Sequence, residues 1–232
     1  VTKRFYKRAE AVAAADSHGV ALDGKGIRTP AKAELLVPTR GLAAAIAAEW
    51  NAQGERLDPN SMPQMQLACT AIDGVAGDTK RVVDALVAYA ETDLLCYRAD
   101  GPETLVKRQT AAWHLLVQWA QGRYGVQFAV TSGIVPVDQP PETLDRLRAV
   151  VAALDPFRLT GLQALTGNLG SLVLALAVLE AHITAAEAFA LSQLDEEHQA
   201  EQWGADEEAE ARRDSILADV RSGEVFLRAL DR

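Results

Sequence analysis

Between residues 5 and 37, apolar and polar positions alternate at short range. FYKRAEAVAA alternates loosely, HGVALDGKGIRTP carries two turn signals, Asp23-Gly24 and Lys25-Gly26, and AELLVP follows. Asp-Gly between short apolar runs favours a hairpin, because both residues tolerate positive φ. A small twisted antiparallel sheet is predicted.

The spacing then lengthens to a helical period. PTRGLAAAIAAEWNAQG reads as a helix capped by Thr39, with Leu42, Ile46 and Trp50 on one face and Gly54 as its stop. PNSMPQMQLACTAIDGVAG leads into a second helix. DTKRVVDALVAYAET gives a third, with Val82, Leu86 and Tyr89 on its apolar face. DLLCYRA is a short strand or extended link. PETLVKRQTAAWHLLVQWAQGRYG is a long amphipathic helix, opened by Pro102 and closed by Gly122 or Gly125. VQFAVTSGIVPV returns to a strand-like pattern. From QPPETLDRLRAVVAAL to the C-terminus the pattern is helical, and LGSLVLALAVLEAHITAAEAFAL reads as a buried core helix. The order of elements predicts an α+β fold: an N-terminal small antiparallel sheet with helices, followed by a C-terminal all-helical orthogonal bundle. The boundary is placed between residues 92 and 93, giving an α+β domain at 1–92 and a mainly helical domain at 93–232.

Composition narrows the function. The chain has 232 residues, a net charge of -9 and a pI of about 5.0. Such acidity disfavours a nucleic-acid binder, which needs basic surface against phosphates. The charge is uneven: Lys3, Arg4, Lys7 and Arg8 make the start basic, and 195–214 is densely acidic. Asymmetry of this kind points to interaction surfaces. Cys69 and Cys96 lie in apolar runs without CxxC spacing or a nearby His, so two buried reduced thiols and a reducing compartment are expected. The start lacks the apolar core of an export signal. The most apolar stretch carries Glu180, His182 and Glu187, so no stable membrane insertion is expected.

No phosphate-binding loop, nucleophile elbow or HExxH pattern is present. Asp195 and His198, three residues apart, could share a ligand-bearing face. A two-metal bundle needs a second carboxylate-x-x-His, but Ala15, Ala111 and Leu179 precede His18, His114 and His182 by three. No metal and no cofactor are expected. Adjacent carboxylates on a helix diverge by about 100°, so Asp195, Glu196 and Glu197 do not converge on one reacting atom.

LDEEHQAEQWG, residues 194–204, is the most unusual stretch. On a continuous helical wheel Glu196 shares a face with Phe189 and Trp203, with Gln199 and Ala200 beside it. A carboxylate there either joins a hydrogen-bonded network or sits on a partly apolar docking surface. Glu197 and Glu201 fall on another side, as a solvated helix end would. Arg98, Lys107 and Arg108 form a basic group that either pairs with the acidic helix or meets a partner. A small enzyme using Glu196 with Arg98 or Arg108 is the alternative reading.

RFYKRAEA, ALDGKGIRTPAKAELLVPT, LAAAIAAEWNAQ, MPQMQLACTAID, TDLLCYRA, RQTAAWH and LSQLDEEHQAEQWG together resemble the assembly chaperone family for the alpha subunit of F-type ATP synthase, found in mitochondria and alphaproteobacteria. The resemblance implies an N-terminal α+β layer, a C-terminal orthogonal helical bundle and a non-enzymatic role. It implies a chaperone that binds the free alpha subunit, shields the surface that later meets the beta subunit, and leaves when the hexamer forms. The acidic segment before Trp-Gly, the part most tied to function in the family, maps onto Asp195, Glu196, Glu197, Gln199 and Trp203. Arg98 and Arg108 complete the expected partner-binding set. His198 departs from the pattern, since relatives often carry an aromatic there. A monomer in the bacterial cytoplasm is expected, or in the mitochondrial matrix for a eukaryotic source.

Overall fold

A computed structural model of the chain describes residues 2–133, 135–204 and 206–231. The chain divides into two compact units. The first comprises Val1–Thr79, Asp155–Gly161 and Val225–Arg232; the second comprises Lys80–Leu154 and Leu162–Glu224. This division differs from a single boundary between 92 and 93, because the chain passes between units at 79/80, 154/155, 161/162 and 224/225. Three of those passages fall within helices, at the first residue of one and in the interior of two others. Sequence signals mark helix ends, so they are silent at the two interior points.

The first unit holds a sheet of β1 (Ala9–Ala14), β2 (Ser17–Leu22), β3 (Lys25–Gly26) and β4 (Leu36–Val37). All pairings are antiparallel, with β1 on one side of β2 and β3 and β4 on the other. Asp23 (φ 47°) and Gly24 (φ 83°) make the two-residue turn from β2 to β3, as the Asp-Gly signal predicts. The second signal, Lys25-Gly26, is not a turn; it is β3 itself. The β1–β2 turn contains Ala15 at φ 47°, a residue type that gives no turn signal.

Helix α1 (Arg40–Asn51) packs on β1 and β2 and buries Leu42, Ala43, Ile46 and Ala47. Thr39 caps it: its hydroxyl accepts from Leu42 N at 3.2 Å and donates to Ala229 O at 2.7 Å. Helix α2 (Pro63–Asp73) is capped by Glu49, whose carboxylate accepts from Gln64 N and Met65 N at 2.6 and 2.9 Å.

Helix α3 (Thr79–Glu91) buries Val82 and Leu86, while Tyr89, expected on the same face, is 39% exposed. A 3-10 turn at Leu94–Cys96 leads to β5 (Tyr97–Arg98), which pairs in parallel with β6 (Thr131–Ser132). The second unit is therefore helical apart from this short ladder. The strand-like reading of VQFAVTSGIVPV reduces to β6; Ile134 within it lies outside the described residues. Gln139 holds this segment by bonding both Ala129 N and Ala129 O.

The remaining helices are α4 (Glu103–Tyr124), α5 (Pro141–Ala152), α6 (Pro156–Leu169), α7 (Leu172–Leu179), α8 (Ala185–Ser192), α9 (Leu194–Trp203) and α10 (Glu207–Ala229). Gly125, in the left-handed conformation, closes α4. The apolar run expected as one core helix is two: α7 ends at Leu179, and a Thr184–Glu187 capping box starts α8. Leu172–Val178 are all buried, so α7 is the centre of the second unit. In the first unit, Gly161 lets α6 approach α10, since a Cβ there would meet Leu227 Cδ2 at 2.6 Å.

Among the described residues, no helix is long and apolar enough to cross a membrane.

Candidate functional site

The site forms in the second unit around α9. The chain bends at Gln193 (φ -106°, ψ 14°), so α8 and α9 are separate helices. A wheel drawn through both is therefore not valid. Phe189 is 7% exposed on α8 and is not part of a surface with Glu196.

Within α9, Leu194 and His198 are buried and face inward. Helix α4 anchors this region. Trp113, fully buried, donates its indole N–H to Leu191 O at 2.9 Å. Gln109, also fully buried, donates Nε2 to the Asp195 carboxylate and accepts from Ala99 N at 2.8 Å. Arg108 holds Glu201 through both guanidinium nitrogens at 3.1–3.2 Å. Glu197 accepts from Arg213 Nη2 of α10 at 2.9 Å.

Three carboxylates of the acidic run are thus tied to named partners. Glu196 is different: among the described residues it makes no hydrogen bond or ion pair, and it is exposed. Trp203 is 81% exposed. Gly204 ends α9 at φ 90°, ψ 159°, a region essentially restricted to glycine.

Glu196, Gln199 and Trp203 face a groove of about 770 Å³. Its other walls are α10, with Glu208, Arg212 and Ile216, and the end of α6, with Asn168 and Leu169. Its base includes Leu94 and Gly170, joined by a Leu94 N to Gly170 O bond of 3.3 Å.

Asp93 stands directly before Leu94 and has no exposed surface. It accepts from Ser171 Oγ at 2.7 Å, Val173 N at 3.1 Å and Leu95 N at 3.1 Å. One carboxylate therefore ties the 3-10 turn to the start of α7. Burial pushes its pKa up from 3.8 to about 6, against the lowering effect of these bonds.

Of the residues singled out in the sequence, Glu196, Gln199 and Trp203 come together on the groove. Asp195, Glu197 and Arg108 are engaged internally and position α9. Arg98 lies in β5, outside the groove lining, with Nη2 buried and without a hydrogen-bond partner among the described residues. Arg213 and Asp93 are not among the residues that the sequence singles out, and Gln109 has no role assigned by it. Asp93 before an apolar LLC run carried a usable signal, a capping-type acid facing burial. Gln109 and Arg213 carried none, because their partners are far away in sequence.

Residues 3–121 match the model of the ATP12 chaperone protein family. The chain is 26% identical over 226 residues to the mitochondrial protein atp12 of Schizosaccharomyces pombe, covering 89% of this chain and 75% of the relative. It is similar to the crystal structure of Atp12 from Paracoccus denitrificans, with 46% identity, a TM-score of 0.95 and 98% of each chain covered. A structure of an aspartate-to-lysine mutant of the P. denitrificans protein matches at 45% identity and a TM-score of 0.95, covering 98% of this chain and 97% of that one. A protein from Agrobacterium tumefaciens matches at 42% identity and a TM-score of 0.94, covering 98% of this chain and 86% of that one. The family match and the relatives together support an ATP synthase assembly chaperone. The similarity runs through both units. The chain belongs to the ATP12 chaperone family.

Proposed function

We propose that the chain binds the unassembled alpha subunit of F-type ATP synthase, through the α9–α10 groove, and holds it for assembly with the beta subunit. The observation that carries this reading is the pairing of a free carboxylate, Glu196, with the exposed indole of Trp203 on one groove. Buried aromatic anchors beside a charge that gains a partner on binding are the usual energetic centre of a protein interface. Both groups are exposed in the free chain, so a client that covers them gains apolar burial at the indole and must supply a partner for the carboxylate.

The contact residues in this reading are Glu196, Gln199 and Trp203. Asp195, Glu197 and Arg108 keep α9 in place, and Arg98 supports β5. The role in this reading is binding without catalysis, in keeping with the chaperone family to which the chain belongs. The chain acts as a monomer in the bacterial cytoplasm, or in the matrix for a mitochondrial source. A photo-cross-linking residue in place of Trp203 tests the assignment. Covalent capture of purified alpha subunit supports it. Absence of capture by a variant that still binds the subunit sinks the groove as the contact.

A further inference from the structure

A second groove, of about 480 Å³, lies wholly in the first unit. Three aromatic rings lead into it. Phe5 meets Tyr6 edge-on at 5.5 Å, and Tyr6 meets Trp50 edge-on at 5.4 Å. Phe5 at the outer end is 70% exposed. An exposed Phe held in a fixed edge-on contact is the chemistry of a recognition surface more than of a solvated loop.

The charges lining the groove are predominantly positive, two cations against one carboxylate. Lys25 and Arg28 line the groove. Lys25 makes no ion pair among the described residues, and Arg28 approaches Glu34 only at 4.0 Å. The one acid in the lining, Asp23, has its two oxygens occupied by Lys7 N and Arg8 N at 2.9 Å each. The contrast with the rest of the chain is large. The first unit carries 12 Lys and Arg against 11 Asp and Glu, whereas the second carries 11 against 21. The chain's excess negative charge therefore resides in the second unit, and this groove presents cations beside aromatic rings.

We propose that this groove is a second docking site, and that its occupant is an acidic polypeptide segment in which carboxylates flank an aromatic or aliphatic side chain. The apolar side chain packs against Phe5 and Trp50, and the carboxylates pair with Lys25 and Arg28. The proposal rests on the chaperone reading only in taking the occupant to be polypeptide. It requires no particular client.

The test uses the full chain with its four Trp indoles labelled with ¹⁵N, so that Trp50 and Trp203 report separately on the two grooves. The probe is a synthetic hexapeptide, Glu-Phe-Asp-Phe-Glu-Leu, compared with the same peptide carrying Lys at each acid. The expected result is a saturable shift of the Trp50 indole signal with the acidic peptide and none with the basic one. The exposed double variant Lys25→Glu with Arg28→Glu should weaken this binding by at least about tenfold, through like-charge contact. Phe5→Ala should also weaken it. An unmoved Trp50 signal, a shift indifferent to the double variant, or a shift confined to Trp203 overturns the proposal. So does binding to phosphatidylglycerol vesicles without binding to the acidic peptide, which would make the groove a lipid contact. No ATP synthase subunit enters the titration, so its outcome is independent of whether the alpha subunit is the client.

Discussion

Glu197 accepts a hydrogen bond from Arg213 Nη2 at 2.9 Å, while its neighbour Glu196 has no partner among the described residues. Adjacent acids on one helix therefore have different duties. Glu197→Ala should destabilise the chain by about 1 kcal/mol, since it leaves a partly buried guanidinium unpaired. Glu196→Gln should change stability by less than about 0.5 kcal/mol, as an exposed substitution without partners. Urea titrations of the two variants measure this directly. Equal destabilisation would place Glu196 in a structural network.

Trp203 supports the same distinction. Its ring is 81% exposed, so Trp203→Ala should leave the melting temperature unchanged and weaken client binding. A loss of stability comparable to a core truncation, about 3 kcal/mol or more, would show that the ring is a packing element.

The Arg108–Glu201 pair is exposed on both sides, at 41% and 52%. Arg108→Ala should cost about 0.2–1 kcal/mol and should not abolish client binding. A double-mutant cycle with Glu201→Ala measures the coupling. Loss of binding by folded Arg108→Ala would return Arg108 to the contact surface.

Asp93 gives the fold a testable pH signature. Its pKa is raised in the folded state from 3.8 to about 6. Between those values the folded chain holds the proton more firmly than the unfolded chain. Stability contributed by this group is therefore greatest near pH 4 and falls as pH rises through about 6. Asp93→Asn removes that dependence and leaves an amide facing Val173 N, where the carboxylate accepted, at a cost of about 1–3 kcal/mol. The stability difference between wild type and variant should shrink from pH 4 to pH 7. A difference that grows over that range contradicts the assignment. Other carboxylates do not obscure the comparison, because both proteins share them.

Both cysteines are buried, and burial pushes Cys69 to about 11 and Cys96 to about 12. Thiolate is the reactive form, so neither should react with a maleimide at neutral pH until the chain unfolds. Rapid modification of native protein would contradict their burial.

Much of this architecture is readable in the chain. The Asp23-Gly24 turn, the Thr39 cap and the Pro102-to-Gly125 helix all rest on local chemistry, and each stands where the sequence puts it. Tyr89 and Phe189 mark where local reading stops. Periodicity gives a face to each, but only tertiary packing decides that Tyr89 is partly exposed and that a bend at Gln193 separates Phe189 from Glu196. The site was legible to the same degree. Glu196, Gln199 and Trp203 stood out by their company on the helix. Which acids were free was not legible, because Gln109, Arg108 and Arg213 lie far from or beyond α9 in sequence and their pairing is a property of the fold.

The most direct measurement is the binding of purified, unassembled alpha subunit to wild type, Glu196→Lys and Glu201→Lys, with folding checked by thermal melts. Glu196→Lys reverses a groove carboxylate on α9 that has no partner among the described residues. If it faces a cation in the complex, like charges meet at a desolvated contact, which costs several kcal/mol. The expected result is tight binding by wild type, near-normal binding by Glu201→Lys, and binding by folded Glu196→Lys weakened by about a hundredfold or more. Binding of Glu196→Lys indistinguishable from wild type would contradict the account, and so would absence of binding by the wild-type chain.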